Sequence, residues 1–404
     1  MRQREAMLSE LIKKIRQICY GYPDIYKDRH IEGNFGSLKI ALITDYLTAV
    51  SLSYECRIRC LTPGNYQEIL KEWKPDFLFV ESSFHGYMWT WSYSLARRKV
   101  FSGRGYLKNF IKVIQLAKDL NIPTVFWNKD DGDYFDTFIE AASLCDYVYT
   151  ADSNSLSRYM NFFASRGISA YLCDSRNSGK ESYSSVSEKS DCSDYSVQMN
   201  SSVKLVGLLP MAVQPKIHSF TGFNFSKNRM CFLGSYYRHI LKSRRSFLDS
   251  VFTACKEEDI PVDIYDRNSR RLSHKLDFSF PGNMHLNIFP KVSYEETAEI
   301  YKSYNVCLNV NSVTASQTMC SRRLLEILAC GGIVVTNPSQ AVTDHFSEYC
   351  TVINSYEEAK EILPAMVGNP SPENMEKARA GSEFIANHHT WTHRLEQIAQ
   401  DVGL

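Results

Sequence analysis

Short apolar runs alternate with helix-period stretches from residue 38 onward, in two successive blocks. In the first block KIALITD (39–45), RIRCL (57–61), DFLFVES (76–82), PTVFWN (123–128), DYVYTAD (146–152), SAYLC (169–173) and VKLVGLLP (203–210) read as strands. Helical spacing predicts helices at about 106–120, entered through Gly103 and Gly105, at about 133–144, and from 152 to about 165. The second block holds MCFLG (230–234), VDIYD (262–266), MHLNIF (284–289), VCLNVN (306–311), IVVTN (333–337) and CTVIN (350–354) as strands. Helices are expected there at about 241–257, 293–304, 322–330, 355–366 and 372–388, with Gly331 and Gly332 stopping the third. Near-continuous apolar strands alternating with helices over short connections specify a parallel sheet covered on both faces. The chain therefore predicts an α/β fold of two successive doubly wound halves.

Two stretches interrupt the pattern. Residues 174–202 are Ser-rich with few large apolar groups and read as a flexible surface insertion. Residues 211–228 carry Pro215 and Gly222 without a clear period and read as a linker between the halves. At roughly 150 residues per domain, a chain of 404 residues accommodates two sizeable cores. Sheets of this kind bind ligands in the crevice beyond the carboxyl ends of their strands, and two facing each other make an interdomain site.

Composition excludes several classes. There are 46 Lys and Arg against 45 Asp and Glu, which argues against a nucleic-acid binder that works by bulk charge. The hydrophobic fraction of 44% and aromatic fraction of 13% are too high for a disordered chain. No apolar window approaches about 18 residues, so no membrane span is expected. The N-terminal stretch MRQREAMLSELIKKIRQICY is charged throughout and lacks the apolar core of a secretory signal. Within it Leu8, Leu11, Ile12, Ile15 and Cys19 recur at helical spacing, with Arg4, Lys13, Lys14 and Arg16 opposite. That pattern fits a packing helix with a solvated face, or a basic helix on an anionic membrane. The 12 cysteines contain no Cys-x-x-Cys pair, and several lie inside apolar runs, as expected of buried reduced thiols. The expected location is cytoplasmic, with the inner face of a membrane as an option through the N-terminal helix.

The densest polar stretch is NVNSVTASQTMCSRRLLE (309–326), which leaves a strand, crosses a loop of small polar residues and enters a helix. Asn311, Ser312, Ser316, Thr318 and Ser321 surround that helix start, where free N–H groups and the helix dipole suit an anion such as a diphosphate. Arg322 and Arg323 add guanidinium forks. Glu326 lies four residues after Arg322 and fits either an i,i+4 salt bridge or a carboxylate that accepts from both ribose hydroxyls. FLGSYYRHILKSRR (232–245) repeats the logic: a strand ends at Gly234, followed by Ser235 and Arg238. Lys242, Arg244 and Arg245 add donors and positive charge near the helix start, or fit a basic, solvated helix face. Tyr265 and Arg267 end the next strand in a similar position. In the first block, the loop 84–106 mixes aromatics with Arg97, Arg98, Lys99 and Arg104, which suits stacking on a sugar ring or a lid packed by its own rings.

These segments carry a resemblance. FLGSYYRHILKSRR, NVCLNVNSVTASQTMCSRRLLEILACGGIVVTN and HTWTHRL (389–395) resemble the nucleotide-sugar-binding half of GT-B glycosyltransferases, and within them the CgeB (spore-maturation-type) family. PDFLFVESSFHG (75–86), PTVFWNKDDGDYFDTFIEAASLCDYVYTAD (123–152) and LLPMAVQPKIH (208–218) extend the resemblance over most of residues 38–396. It implies a GT-B fold: two Rossmann-like doubly wound domains facing an interdomain cleft. The N-terminal domain would span 1–210 on the acceptor side, and the nucleotide-sugar domain 211–388. A C-terminal helix, 389–404, would cross back to the N-terminal domain.

By the same resemblance Glu326 would bind the ribose of a nucleotide-sugar. Gly234, Ser235, Arg238, Arg322 and Arg323 would surround its diphosphate, and Asn311, Ser312 and Thr318 would face the donor sugar. Many members of the large retaining group carry a Glu-x7-Glu pair; here the first position is Thr318, so the stereochemical outcome is open. The N-domain position often held by His is Asn128, followed by Lys129, Asp130 and Asp131.

The expected reaction moves a sugar from a nucleotide-sugar, with UDP or GDP as carrier, to a hydroxyl of a glycan, glycolipid or glycoprotein. Cations and helix N-termini near the diphosphate can stabilise the leaving group without a metal. No permanently bound cofactor and no nucleic-acid partner are expected. His85, Asn128, Lys129, Asp130 and Arg238 are the catalytic candidates; His85 also fits an ordinary loop histidine, and Asp130 and Asp131 also fit helix caps. Two other readings share the architecture: a sugar-nucleotide epimerase, and a non-catalytic binding subunit of a glycan assembly complex.

Overall fold

In the computed structural model the described residues are 31–97, 106–173, the backbone of 181–183, and 202–404. The N-terminal helix reading, Arg98, Lys99, Gly103, Arg104, Gly105 and most of the 174–202 insertion lie outside them. The described chain forms two compact units. One runs to Pro210 and resumes over Trp391–Leu404; the other is Met211–Thr390.

The first unit holds an eight-stranded sheet with β1 (Lys39–Ile43), β2 (Arg57–Cys60), β3 (Phe77–Glu81), β4 (Thr124–Asn128), β5 (Tyr147–Thr150), β6 (Ser169–Cys173), β7 (Glu181–Tyr183) and β8 (Ser202–Leu208). Their order is β2-β1-β3-β4-β5-β8-β6-β7. All pairings are parallel except β6–β7, which is antiparallel at the edge. Part of the Ser-rich insertion thus extends the sheet instead of lying loose on the surface. The first five strands keep the flavodoxin-like order, with the switch of direction between β1 and β3. Strands β3, β4 and β5 are buried along their whole length, as a sheet covered on both faces requires.

Helices α1 (Tyr46–Leu52), α2 (Lys108–Asp119), α3 (Asp131–Ala142) and α4 (Leu156–Ser165) cover this sheet. Helix α1 has six of its seven residues buried and so lacks the polar stripe that would have announced it in the sequence.

The second unit has a six-stranded, wholly parallel sheet: β9 (Lys227–Gly234), β10 (Val262–Asp266), β11 (Leu286–Pro290), β12 (Tyr304–Leu308), β13 (Val334–Thr336) and β14 (Thr351–Val352). The order β11-β10-β9-β12-β13-β14 is 3-2-1-4-5-6 when counted from its own first strand, the Rossmann order. The direction of winding reverses between β9 and β12. The helices are α5 (Lys242–Glu257), α6 (His274–Asp277), α7 (Glu296–Ser303), α8 (Arg322–Ala329), α9 (Gln340–His345), α10 (Tyr356–Gly368) and α11 (Pro372–His388). Ser321, Ser339, Ser355 and Ser371 cap α8, α9, α10 and α11, each accepting from the N–H three residues on. Gly331 takes φ +71° just past α8, the left-handed stop its sequence announced.

Residues 211–226 are not a loose connector. Gln214 and His218 are buried, and Val213 bridges Thr390. The last helix, α12 (Trp391–Val402), belongs to the first unit. Trp391 sets its ring edge-on to Trp127 at 5.5 Å and to Phe79 at 6.4 Å. Arg394 Nε donates to the Pro210 carbonyl at 2.9 Å, and the Tyr149 hydroxyl donates to Asp401 at 2.7 Å. The described cysteines are free thiols, all buried except Cys173. No helix among the described residues is long and apolar enough to cross a membrane.

Candidate functional site

The carboxyl ends of β9, β10, β11 and β12 gather cations. β9 ends in Gly234, whose missing side chain is a packing requirement: a Cβ there would lie 2.6 Å from Phe232 Cζ and 2.7 Å from Arg323 Nη2. Arg323 leaves the first turn of α8, lies 4.8 Å over the Phe232 ring, and donates from Nε to the Leu233 carbonyl. Arg244 reaches the same place from α5. It donates to the carbonyls of Val310 at 3.1 Å and Ser235 at 3.2 Å, and stands 3.5 Å from Ser312 Oγ. Burial lowers the pKa of both guanidinium groups, and each of the two is lowered further by Arg267 nearby. Arg244 Nε and Arg323 Nη1 are buried without a hydrogen-bond partner.

Lys291, one residue past β11, is held by its backbone N–H to Ser269 Oγ at 2.9 Å. Its pKa falls to about 8 through burial and the neighbouring charges of Arg267, Arg270 and Arg271. Buried N–H donors and net positive charge at a switch point suit a dianionic or trianionic ligand.

The sequence-predicted residues divide around this cluster. Gly234, Ser235, Arg267, Ser312 and Arg323 stand in it or line its edge. Of the two readings open for Arg244, the solvated face does not hold: it is 7% exposed. It falls in step with Leu248, Val251, Phe252 and Cys255 on the buried stripe of α5, a register visible in the sequence. Lys291 carried no motif. Arg238 is exposed instead and donates to Ser279 Oγ at 2.7 Å. Tyr265 turns its hydroxyl to Tyr304, 3.0 Å away, at the first residue of β12 and so toward the opposite end of the sheet. Asn311 and Ser321 support the turn instead of facing solvent. Asn311 Oδ1 accepts from Ser321 N at 2.8 Å, its own N–H donates to Asn337 at 2.7 Å, and Ser321 Oγ donates to Asn309 at 2.6 Å. Thr318 sits in the loop before α8, its N–H on Ser316 Oγ at 3.3 Å. Arg322 is half-buried and close enough to His218 to depress its pKa.

Glu326 is buried one turn into α8. Its two oxygens accept from Tyr294 Oη at 2.9 Å and Tyr301 Oη at 3.4 Å. Two neutral donors hold the carboxylate in place and leave each oxygen further accepting capacity. His218, from the stretch read as a linker, packs its ring 4.9 Å from Tyr294 and bonds Thr297 Oγ1 at 2.8 Å. Burial takes its pKa down to about 4, so it backs the cluster as a neutral ring.

The first unit has its own polar centre at the β1–β3 switch. Lys129, just past β4, places Nζ 2.7 Å from Glu81 and 2.9 Å from Asp45. Glu81 is fully buried, while the Asp45 side chain is 40% exposed. Ser83 Oγ donates to Asp45 at 2.5 Å, and Ser82 Oγ to Asp130 at 2.9 Å. The centre therefore offers carboxylates at its rim and a cation beneath. Asn128, expected in the chemistry, is fully buried and donates to Asp131 and to Tyr159. Burial raises Asp131 to about 8, a structural carboxyl beneath the site. His85 lies on the following loop, stacked 3.8 Å from Trp89 and edge-on to Tyr93 at 5.0 Å. Met88, Trp89 and Tyr93 there all take positive φ. Among the described residues no group of three or more His, Cys, Asp or Glu is placed to hold a metal ion.

Several solved structures align with the chain. The crystal structure of Anabaena Alr3699/HepE with UDP and glucose aligns with 90% of this chain and 91% of its own, at 9% identity and a TM-score of 0.49. The trehalose 6-phosphate synthase of Burkholderia multivorans aligns over 84% and 74%, at 8% identity and 0.49. A point mutant of TarM from S. aureus, in a complex that includes UDP, aligns over 86% and 55%, at 10% and 0.43. No curated protein matches the chain. Residues 262–400, about a third of the chain and spanning β10 to α12, match the family model described as glycosyl transferase-like.

Proposed function

We propose that this protein is a glycosyltransferase that draws a sugar from a nucleoside-diphosphate donor. The observation that carries the reading is that Arg244, Arg267, Arg323 and Lys291 stand at the carboxyl-end side of a Rossmann-ordered sheet, beside its β9–β12 switch, the last three within the matched residues 262–400. Their charges suit the diphosphate, which gains negative charge as the sugar departs. Glu326, fixed by Tyr294 and Tyr301, accepts from the ribose hydroxyls in this reading. UDP, the nucleotide in the HepE and TarM complexes, is the carrier to test first. The acceptor is a hydroxyl compound, and the carboxylates of the Asp45–Lys129–Asp130 centre are the candidates to receive its proton. The CgeB resemblance supports the same assignment and a glycan, glycolipid or glycoprotein acceptor.

A thermal-shift screen against UDP, GDP, CMP and dTDP and their common sugars tests the donor site. A rise with one diphosphate family is expected. Glu326→Gln should weaken that ligand by roughly tenfold, the worth of one charge-assisted hydrogen bond. No shift with any nucleotide would overturn the reading. Binding with no transfer to any supplied acceptor, and no change in the donor itself, would assign a binding subunit instead.

A further inference from the structure

Three large apolar side chains stand in water close together on the second unit: Ile240 at 52% exposure, Leu276 at 73% and Leu272 at 107%. Single exposed leucines are ordinary, but three inside a basic patch are not. Hydrogen bonds tie their two loops together. Arg238 N–H donates to the Asp277 carbonyl at 3.0 Å, and His239 Nε2 bonds the Leu276 carbonyl at 3.1 Å. Underneath, Phe278 meets Tyr237 edge-on at 5.6 Å and carries Arg271 over its face at 5.2 Å. Residues 271–277 wind in consecutive turns, His274 N–H to Arg271 and Leu276 N–H to Ser273, which sets Leu272 and Leu276 on one side.

Arg238, Lys242, Arg270, Arg271 and Lys275 are exposed around them. The acids of 266–279 are Asp277 and the fully buried Asp266, the latter held by His274. A chain with a net charge of only +1 thus concentrates positive charge where it also exposes leucine.

We infer that this surface, formed by residues 238–242 and 270–279, docks on an anionic lipid bilayer. Basic side chains would meet acidic headgroups, and Ile240, Leu272 and Leu276 would enter the interfacial layer. Charge complementarity decides the occupant: a nucleic acid would match the cations but leave the leucines in water. A second copy of the same surface would set like charges against each other. The inference does not depend on the donor or acceptor of the proposed reaction.

Flotation of the full chain with vesicles of phosphatidylcholine alone, and of phosphatidylcholine with phosphatidylserine, tests it. Binding is expected only to the anionic vesicles and should weaken with salt. Leu272→Ser/Leu276→Ser should lower partitioning at least about tenfold, and Arg271→Gln/Lys275→Gln about fivefold per charge removed. Because these side chains are exposed, an unchanged melting temperature confirms that each variant is folded. No binding to anionic vesicles would overturn the proposal, as would equal binding to both vesicle types. Undiminished binding of the leucine variant would place any membrane contact elsewhere. Lipid-free dimers abolished by the leucine variant would make the surface an interface between copies.

Discussion

At the scale of the residue, burial decides what a charge can do. Arg244 and Lys291 both bring charge to these strand ends, yet Lys291 carried no motif and Arg244 fitted a solvated face as well as a ligand. Arg244 is one of three basic residues at the start of α5, although its register with Leu248 and Val251 was there to be read. Lys291 gains its place from β11 ending beside β10, a tertiary fact that no local spacing encodes. Gly234, Ser235 and Arg267 could be placed from the sequence because they end or follow strands, and Arg323 because it opens a helix after a polar loop. Asn128, Asn311 and Tyr265 were misplaced for one shared reason: a strand-end position is readable, but the direction of a side chain is not.

Lys291 also gives a pH signature. Its depressed pKa means that the charge is present below about 8 and lost above it, and an anion binds the charged form. Affinity for the nucleoside diphosphate should therefore fall as pH rises through about 8. Lys291→Met should bind more weakly at neutral pH and lose most of that dependence. Calorimetric titration with UDP from about pH 6 to about pH 9 checks both.

At the scale of the element, strands and long helices were legible because their periods are strong. Short or edge pieces were not: α1 is buried almost all round, α9 spans six residues, and β7 exists only by pairing with β6. The helix stops and serine caps of the second unit follow rules that operate within a few residues, so they survive without knowledge of the fold. The end of β9 is the element where structure and site depend on each other most closely. Gly234→Ala would drive a methyl group into the Phe232 ring and the Arg323 guanidinium. The ring is packed and the guanidinium is tethered to Leu233, so the variant should lose about 1–3 kcal/mol. It should also weaken diphosphate binding by displacing Arg323. Urea unfolding and a UDP titration measure the two effects separately; full stability with normal binding would disprove the close approach.

At the scale of the molecule, two doubly wound units could be counted from the sequence, because the alternation simply runs twice. The 3-2-1-4-5-6 and 2-1-3-4-5 orders could not, since they depend on which strands pair across the crossovers. All five tryptophans, at 73, 89, 91, 127 and 391, belong to the first unit, so tryptophan fluorescence follows that unit alone. Trp391→Ala removes a fully packed ring from against Trp127 and Phe79 and should cost the first unit about 3–5 kcal/mol. The fluorescence-detected transition should move to lower urea, while UDP binding at the second unit persists.

The return of α12 to the first unit also bears on how the protein is made. Tyr149 and Asp401, hydrogen-bonded in the finished fold, are 252 residues apart in the chain. A ribosome moving at about 5–20 residues per second must complete the whole of Met211–Thr390 in between. For roughly ten to forty seconds of synthesis the nascent first unit holds Trp127 and Phe79 without the ring that covers them. The later-encoded unit is then the first able to finish folding, and the earlier one closes only when α12 emerges.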